Sequence, residues 1–129
     1  MPNPMSILIV DDHEVVRKGI RAYLETLSEF QVVGEAISGE EAVLMVGELI
    51  PDIVLLDLIM PGMDGVEATR RIKQVSPRTQ VVVLTSYHED IHIFPALKAG
   101  AIAYILKDMK MEKLVEVLHR ALQGEVTLH

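Results

Sequence analysis

Residues 53–57 read Ile53-Val54-Leu55-Leu56-Asp57, four aliphatic side chains in a row ended by a carboxylate. A run this short, with no polar alternation, suits a strand buried on both faces. The design recurs in Ile7-Leu8-Ile9-Val10 before Asp11-Asp12, in residues 81–84 before Thr85 and in residues 101–106 before Lys107. Segments of helical period lie between: Val16, Ile20, Leu24 and Leu27; Ala42, Val46 and Leu49; Val66, Thr69 and Ile72; Leu114, Leu118 and Ala121. Buried strands alternating with amphipathic helices are the pattern of βαβ units, so the expected class is α/β, a parallel sheet with helices on both faces. Strands are expected at 6–10, 31–36, 53–56, 81–84 and 103–106, with only the second, which opens the one mixed segment, as an edge.

The chain has 129 residues, 50% apolar and 24% charged, with a mean hydropathy of +0.30, which fits one domain with a real core. The absence of cysteine excludes a disulfide scaffold, a Cys-ligated zinc module and a thiol enzyme. The apolar runs are too short to cross a bilayer, and Met1-Pro2-Asn3-Pro4 lacks the basic residues of an export signal, so a cytoplasmic address is expected. A formal net charge of −7 and a pI near 5.1 disfavour non-specific attraction to nucleic acid or anionic lipid. An anionic ligand therefore needs a locally arranged site.

Ser38 with Glu41 and Asp64 with Glu67 have the spacing of capping boxes at two helix starts. Gly100 suits a left-handed stop to the fourth helix. Pro95 predicts that this helix begins at or just before it, or is kinked there, leaving residues 87–93 loose. Arg70, Arg71 and Lys73 read as a solvated helical face. His88 and His92 lie four apart without an evident third ligand, so no metal is expected there.

In open parallel sheets, ligands bind beyond the carboxyl ends of the strands where the strand order reverses. With the order 2-1-3-4-5, strands one and three are neighbours about 4.8 Å apart. Asp11, Asp12 and Asp57 would then crowd one another, and like charges at that spacing repel unless a cation intervenes. Hard oxygen ligands without His or Cys nearby in strand register suit Mg²⁺. Thr85 and Lys107 bring a hydroxyl and an ammonium to the same edge. Singly, each residue has a plainer reading: Asp12 or His13 as a helix cap, Asp57 in a turn, Thr85 as a cap, Lys107 as a solvated strand end. Together they supply a carboxylate nucleophile, a cation, an ammonium and a hydroxyl, the parts that hold a phosphoryl group.

The stretch Val54-Leu55-Leu56-Asp57-Leu58-Ile59-Met60-Pro61-Gly62-Met63-Asp64-Gly65, with Ile7-Leu8-Ile9-Val10-Asp11-Asp12-His13 and Ala99-Gly100-Ala101-Ile102-Ala103-Tyr104-Ile105-Leu106-Lys107, resembles the receiver domain of two-component response regulators. The resemblance runs from about Met5 to Gly124. It implies a single flavodoxin-like, doubly wound (βα)5 three-layer sandwich of strand order 2-1-3-4-5, with residues 125–129 starting a linker or tail. It implies a regulatory domain rather than an enzyme. Asp57 would accept a phosphoryl group from a sensor histidine kinase. Asp12, Asp57 and the Ile59 carbonyl would bind Mg²⁺ directly, and Asp11 mainly through water. Lys107 and Thr85 would contact the phosphate, and Thr85 with Tyr104 would switch the surface around helix four and strand five. An ordinary half-buried strand aromatic is the plainer reading of Tyr104.

Lys107 is followed by Asp108 rather than by the proline common in the family. That pair, with Leu97-Lys98-Ala99-Gly100 and Gln123-Gly124-Glu125-Val126, resembles NarL/FixJ-like receivers that precede a LuxR-type helix-turn-helix. A homodimer promoted by phosphorylation is then implied, with DNA contacted only through a C-terminal domain absent from this chain. The chain is expected to be a stand-alone receiver or a fragment, and the dimer face stays open. The apolar Ile59 gives attacking water no polar handle, so slow autodephosphorylation is expected. Three alternatives remain: a degenerate receiver that only dimerises, a phospho-aspartate phosphatase, and a flavin or nucleotide binder. The phosphatase normally needs a second Asp where Ile59 stands, and no G-x-G-x-x-G or P-loop follows the first strand.

Overall fold

The computed structural model describes residues 3–86 and 91–125. Strands and helices alternate strictly: β1 (Met5–Val10), α1 (Glu14–Leu24), β2 (Phe30–Ala36), α2 (Gly39–Leu49), β3 (Ile53–Asp57), α3 (Gly65–Val75), β4 (Gln80–Thr85), α4 (Ile93–Ala99), β5 (Ala103–Leu106) and α5 (Met111–Leu122). The strands form one parallel sheet in the order β2-β1-β3-β4-β5, as expected. Ile7, Ile9, Ile53 and Leu55 face α1 and α5, against Leu24, Leu114 and Leu118. Leu8, Val10, Val54 and Leu56 face α2, α3 and α4, against Val46, Ile72 and Ala96. Successive strand residues point to opposite faces, so a strand covered on both reads as an unbroken apolar run. No helix among the described residues is long and apolar enough to cross a membrane.

Three expectations are corrected. First, β5 is a second edge, pairing with β4 alone among the described residues. Its apolar sequence reflects cover by helices on both faces rather than a second neighbouring strand, since Tyr104 joins the α2–α4 side and Ala103 and Ile105 the α1–α5 side. Second, Lys73 is only partly solvated: its ammonium donates to the carbonyls of Pro77 (2.7 Å) and Thr79 (2.8 Å), and burial lowers its pKa. Third, the two capping boxes are only half formed. Ser38 and Asp64 accept the N–H groups of Glu41 (3.1 Å) and Glu67 (2.9 Å), but Glu41 returns to the Ile37 N–H and Glu67 turns to Arg70 and Arg71. Pro95 is the third residue of α4, where its missing N–H is one the first turn leaves unpaired anyway, and Gly100 ends the helix with a φ of 121°. Of the segment expected to be loose, residues 87–90, with His88, lie outside the described residues.

The mixed composition of β2 has a geometric cause. Ile7 pairs with Val32 but Leu8 pairs with Gly34, so Val33 is skipped and the alternation changes phase. Phe30 and Val32 therefore face α1 and α5, Ala36 faces α2, and Glu35, opposite Ile9, meets α1. There it accepts Arg17 Nε (3.0 Å), Arg21 Nη1 (2.8 Å) and Lys18 Nζ (3.3 Å).

Arg21, against the opposing cost of burial and with help from Arg17 and Lys18, holds the Glu35 pKa down to about 2. The folded state thus takes up this proton less readily than the unfolded chain, and the stabilisation is complete above about pH 4.5 and lost as pH falls towards 2. Glu35→Gln is expected to cost up to about 3 kcal/mol at neutral pH, with the deficit against wild type shrinking below about pH 4. Urea melts of both proteins across that range check this, and a deficit independent of pH would contradict it.

Candidate functional site

The apolar runs of β1, β3, β4 and β5 end at one edge of the sheet, and the first polar residues after them meet there. Asp57 and Thr85 are the last residues of β3 and β4. Asp11 is fully buried, and Asp57 and Thr85 are 2% and 1% exposed. The Asp11 N–H bonds to the Ala36 carbonyl (3.1 Å), extending the β1–β2 ladder one residue into the turn. The Leu58 N–H bonds to the Leu84 carbonyl (3.1 Å), and the Gly65 N–H bonds to the Leu58 carbonyl (2.9 Å). A Cβ at Gly65 would lie 2.6 Å from Leu58 Cα and 2.8 Å from the Asp57 carbonyl, so only glycine lets α3 start so close behind Asp57.

His13 stands at the N-cap of α1 but makes no side-chain cap bond. Its N–H (2.8 Å) and its Nδ1 (2.9 Å) both meet Asp11 Oδ1 instead, so it fixes the orientation of that carboxylate. The Ile59 N–H donates to Asp57 Oδ1 (3.2 Å). From the next strand end, Lys107 Nζ lies 3.0 Å from Asp57 Oδ2 and 3.1 Å from Asp11 Oδ2. The Lys107 N–H bonds to the Thr85 carbonyl (2.8 Å), which ties the two strand ends together.

One ammonium thus faces two buried carboxylates. Burial opposes the charge of Lys107, but Asp57 and Asp11 outweigh it and raise its pKa. For Asp57, burial raises the pKa most, Lys107 opposes it and Asp11 adds repulsion, and the net direction is up. A single cation cannot fully compensate both acids, so Asp57, penalised first by burial, keeps a raised pKa while the two carboxylates raise that of Lys107. Asp11 Oδ2 is buried without a hydrogen bond of adequate geometry; the Lys107 contact is ionic only. Ligand atoms of Asp11, Asp12, His13 and Asp57 lie within 4.8 Å of one another. Three hard carboxylates, one of them with an orphaned buried oxygen, fit a small divalent cation, the His13 ring being engaged with Asp11.

The structure therefore brings together Asp11, Asp12, Asp57, Thr85 and Lys107, with Ile59 beside them. Tyr104 is more deeply placed than an ordinary strand aromatic, 4% exposed and in the cluster of Ile93 and Ala96 on α4. Sequence reasoning did not count His13 among the groups facing the carboxylates. It also missed Arg17, whose Nη1 donates to the Asp11 carbonyl (2.7 Å). A mainly apolar groove of about 190 Å³ between α1 and α5, lined by Val15, Ile20, Met109 and Leu114, ends at Lys107.

A doubly wound sheet with this acidic edge has the layout of a signalling receiver domain, and known proteins share it. The response regulator receiver domain family matches residues 7–119, and the chain belongs to that family. It is similar to the uncharacterized transcriptional regulatory protein YhcZ of Bacillus subtilis, with 51% identity over 87% of this chain and 52% of the relative. It is 42% identical to the transcriptional regulatory protein LiaR of Bacillus subtilis over 95% of this chain and 58% of the relative. It is 46% identical to the response regulator protein VraR of Staphylococcus aureus over 94% of this chain and 58% of the relative. Among solved structures, the signal receiver domain of the response regulator designated NarL from Mycobacterium tuberculosis superposes with a TM-score of 0.90 at 30% identity, covering 96% of this chain and 100% of that one. A LuxR-family two-component response regulator from Aurantimonas sp. SI85-9A1 does so with 0.89 at 35%, covering 95% and 88%. The chain spans 52–58% of the length of the curated relatives named here.

Removing the ammonium leaves two buried carboxylates facing each other, and breaking a buried pair in this way costs about 3 kcal/mol. Lys107→Met is expected to lose about that much in chelator-treated buffer and to recover part of it in saturating Mg²⁺. Urea titrations under both conditions check this, and a deficit indifferent to Mg²⁺ would contradict it.

Proposed function

We propose that this receiver domain is a phosphorylation-controlled switch in which Asp57 takes a phosphoryl group from a sensor histidine kinase. The observation that carries the reading is Lys107 Nζ placed 3.0 Å from Asp57 and 3.1 Å from Asp11 at the edge of the sheet. An Asp57 oxygen bonds to phosphorus as the P–N bond of the donor phosphohistidine breaks, and the released imidazole takes up a proton. Lys107 neutralises phosphoryl oxygens as they arrive, and the Thr85 hydroxyl, from the neighbouring strand end, takes a further phosphoryl oxygen in this reading. Asp12, Asp57 and the Ile59 carbonyl would hold Mg²⁺, with Asp11 acting through water. When bound, Mg²⁺ supplies the positive charge that the single lysine cannot.

The phosphoryl group draws on Lys107 and Thr85, and this biases the α4–β5 surface. The inward packing of Tyr104 against α4 belongs, in this reading, to the signalling state. The output is a homodimer favoured by phosphorylation, and DNA is reached through a C-terminal helix-turn-helix outside this chain, in the cytoplasm. The length of the curated relatives, with their names as transcriptional regulators, supports that part of the reading. Hydrolysis of the acyl phosphate is slow, because Ile59, 55% exposed beside Asp57, offers water no proton acceptor.

Intact mass after incubation with a small acyl-phosphate donor tests this. Wild type is expected to gain one phosphoryl group only with Mg²⁺, to hold it for minutes or longer after donor removal, and to sediment as a dimer while labelled. Asp57→Ala is expected to gain none. Equal labelling of Asp57→Ala would overturn the assignment, loss within seconds the slow hydrolysis, and a labelled monomer the dimer. No labelling of wild type under any condition would leave a dimerisation module that is never phosphorylated.

A further inference from the structure

Asp11 is held by a side chain that ends no strand. Arg17 Nη1 donates to the Asp11 carbonyl at 2.7 Å while its Nε donates to Glu35 at 3.0 Å. The Arg17 side chain is 11% exposed and that of Glu35 is 12% exposed. With its N–H bonded to Ala36 and its Oδ1 bonded to His13, Asp11 is fixed at every polar group except Oδ2, the atom facing Lys107.

Arg17 is the fourth residue of α1, near the positive end of the helix, where a cation is disfavoured. Contacts must offset that cost together with the cost of burial. Glu35 does not require Arg17 for its own charge, because Arg21 and Lys18 also reach it. Of these three cations only Arg17 bonds to Asp11. The skipped residue Val33 is what turns Glu35 towards α1, so the bulge of β2, the carboxylate and the arginine form one support beneath the β1–α1 turn.

We propose that Arg17 is a positioning residue for the cation site: through the Asp11 carbonyl it fixes the turn so that Asp11 and Asp12 face Asp57, and Glu35 fixes Arg17. This rests on the reading of those three acids as the Mg²⁺ site. Two effects of removing Arg17 have opposite signs. Losing a positive charge would tighten Mg²⁺ binding, whereas losing the support would weaken it. Glu35 at 3.0 Å, shared with Arg21 and Lys18, offsets only part of that charge, but partners that orient a liganding residue are worth about 10–100-fold in metal affinity, and weakening is the expected outcome.

The test is the Mg²⁺ dependence of acyl-phosphate labelling, with Mg²⁺ titrations followed by the Ile59 amide resonance, for wild type, Arg17→Met, Arg17→Lys and Arg21→Met. Arg17→Met is expected to raise the half-saturating Mg²⁺ about tenfold, while saturating Mg²⁺ returns the labelling rate to near wild type. Arg17→Lys should fall between, since an ammonium is not a fork and cannot bridge Asp11 and Glu35 as guanidinium does. Arg21→Met removes a partner of Glu35 but keeps the Asp11 bond, so its melting temperature should fall while its Mg²⁺ half-saturation stays put. Unchanged or tighter Mg²⁺ binding in Arg17→Met, or in Arg17→Lys if the methionine variant does not fold, would overturn the inference alone. A wild type that neither binds Mg²⁺ nor accepts the label would overturn the reading beneath it as well.

Discussion

Two buried carboxylates, Asp11 and Asp57, share the single ammonium of Lys107, and the rest of the site is organised around that imbalance. In a low-dielectric setting one cation cannot satisfy two acids, so burial and mutual repulsion raise the Asp57 pKa while the paired negative charge raises that of Lys107. The site is therefore poised for a further positive charge. In the proposed reading, a group that occupied the lysine would give a small chemical event at Asp57 leverage over β4 and β5.

The fold makes this arrangement affordable. Strands β1, β3 and β4 are buried on both faces, so Asp11, Asp57 and Thr85 at their ends rest on rigid backbone rather than on long loops. The ladder bonds of Asp11 to Ala36, Leu58 to Leu84 and Lys107 to Thr85 carry the register of the sheet into the site itself. Gly65 lets α3 begin against the backbone of Asp57 and Leu58, which closes that side of the loop. Arg17 and Glu35 brace the opposite side from α1 and β2.

The positions of Asp11, Asp57 and Lys107 at one edge were legible in the sequence because each directly follows an unbroken apolar run, and a parallel sheet brings such positions together. The architecture was legible for the same reason. Other features depend on packing that periodicity does not carry. The skipped Val33 reverses the alternation of β2, so no reading of that strand alone places Glu35 against α1. Residues of β5 look central because α4 and α5 cover them, although the strand lies at an edge. His13 and Lys73 carry polar groups whose partners are set by local turns, and both read from the sequence as plainer surface or cap residues.

The most direct measurement is the pH titration of the Asp57 carboxyl carbon by NMR, in chelator-treated buffer and again with saturating Mg²⁺. The account predicts a midpoint above the ordinary aspartate value of about 3.9 without the metal, and a lower one with it. A metal-free midpoint at or below that ordinary value, unmoved by Mg²⁺, would contradict the claim that the shared lysine leaves charge uncompensated.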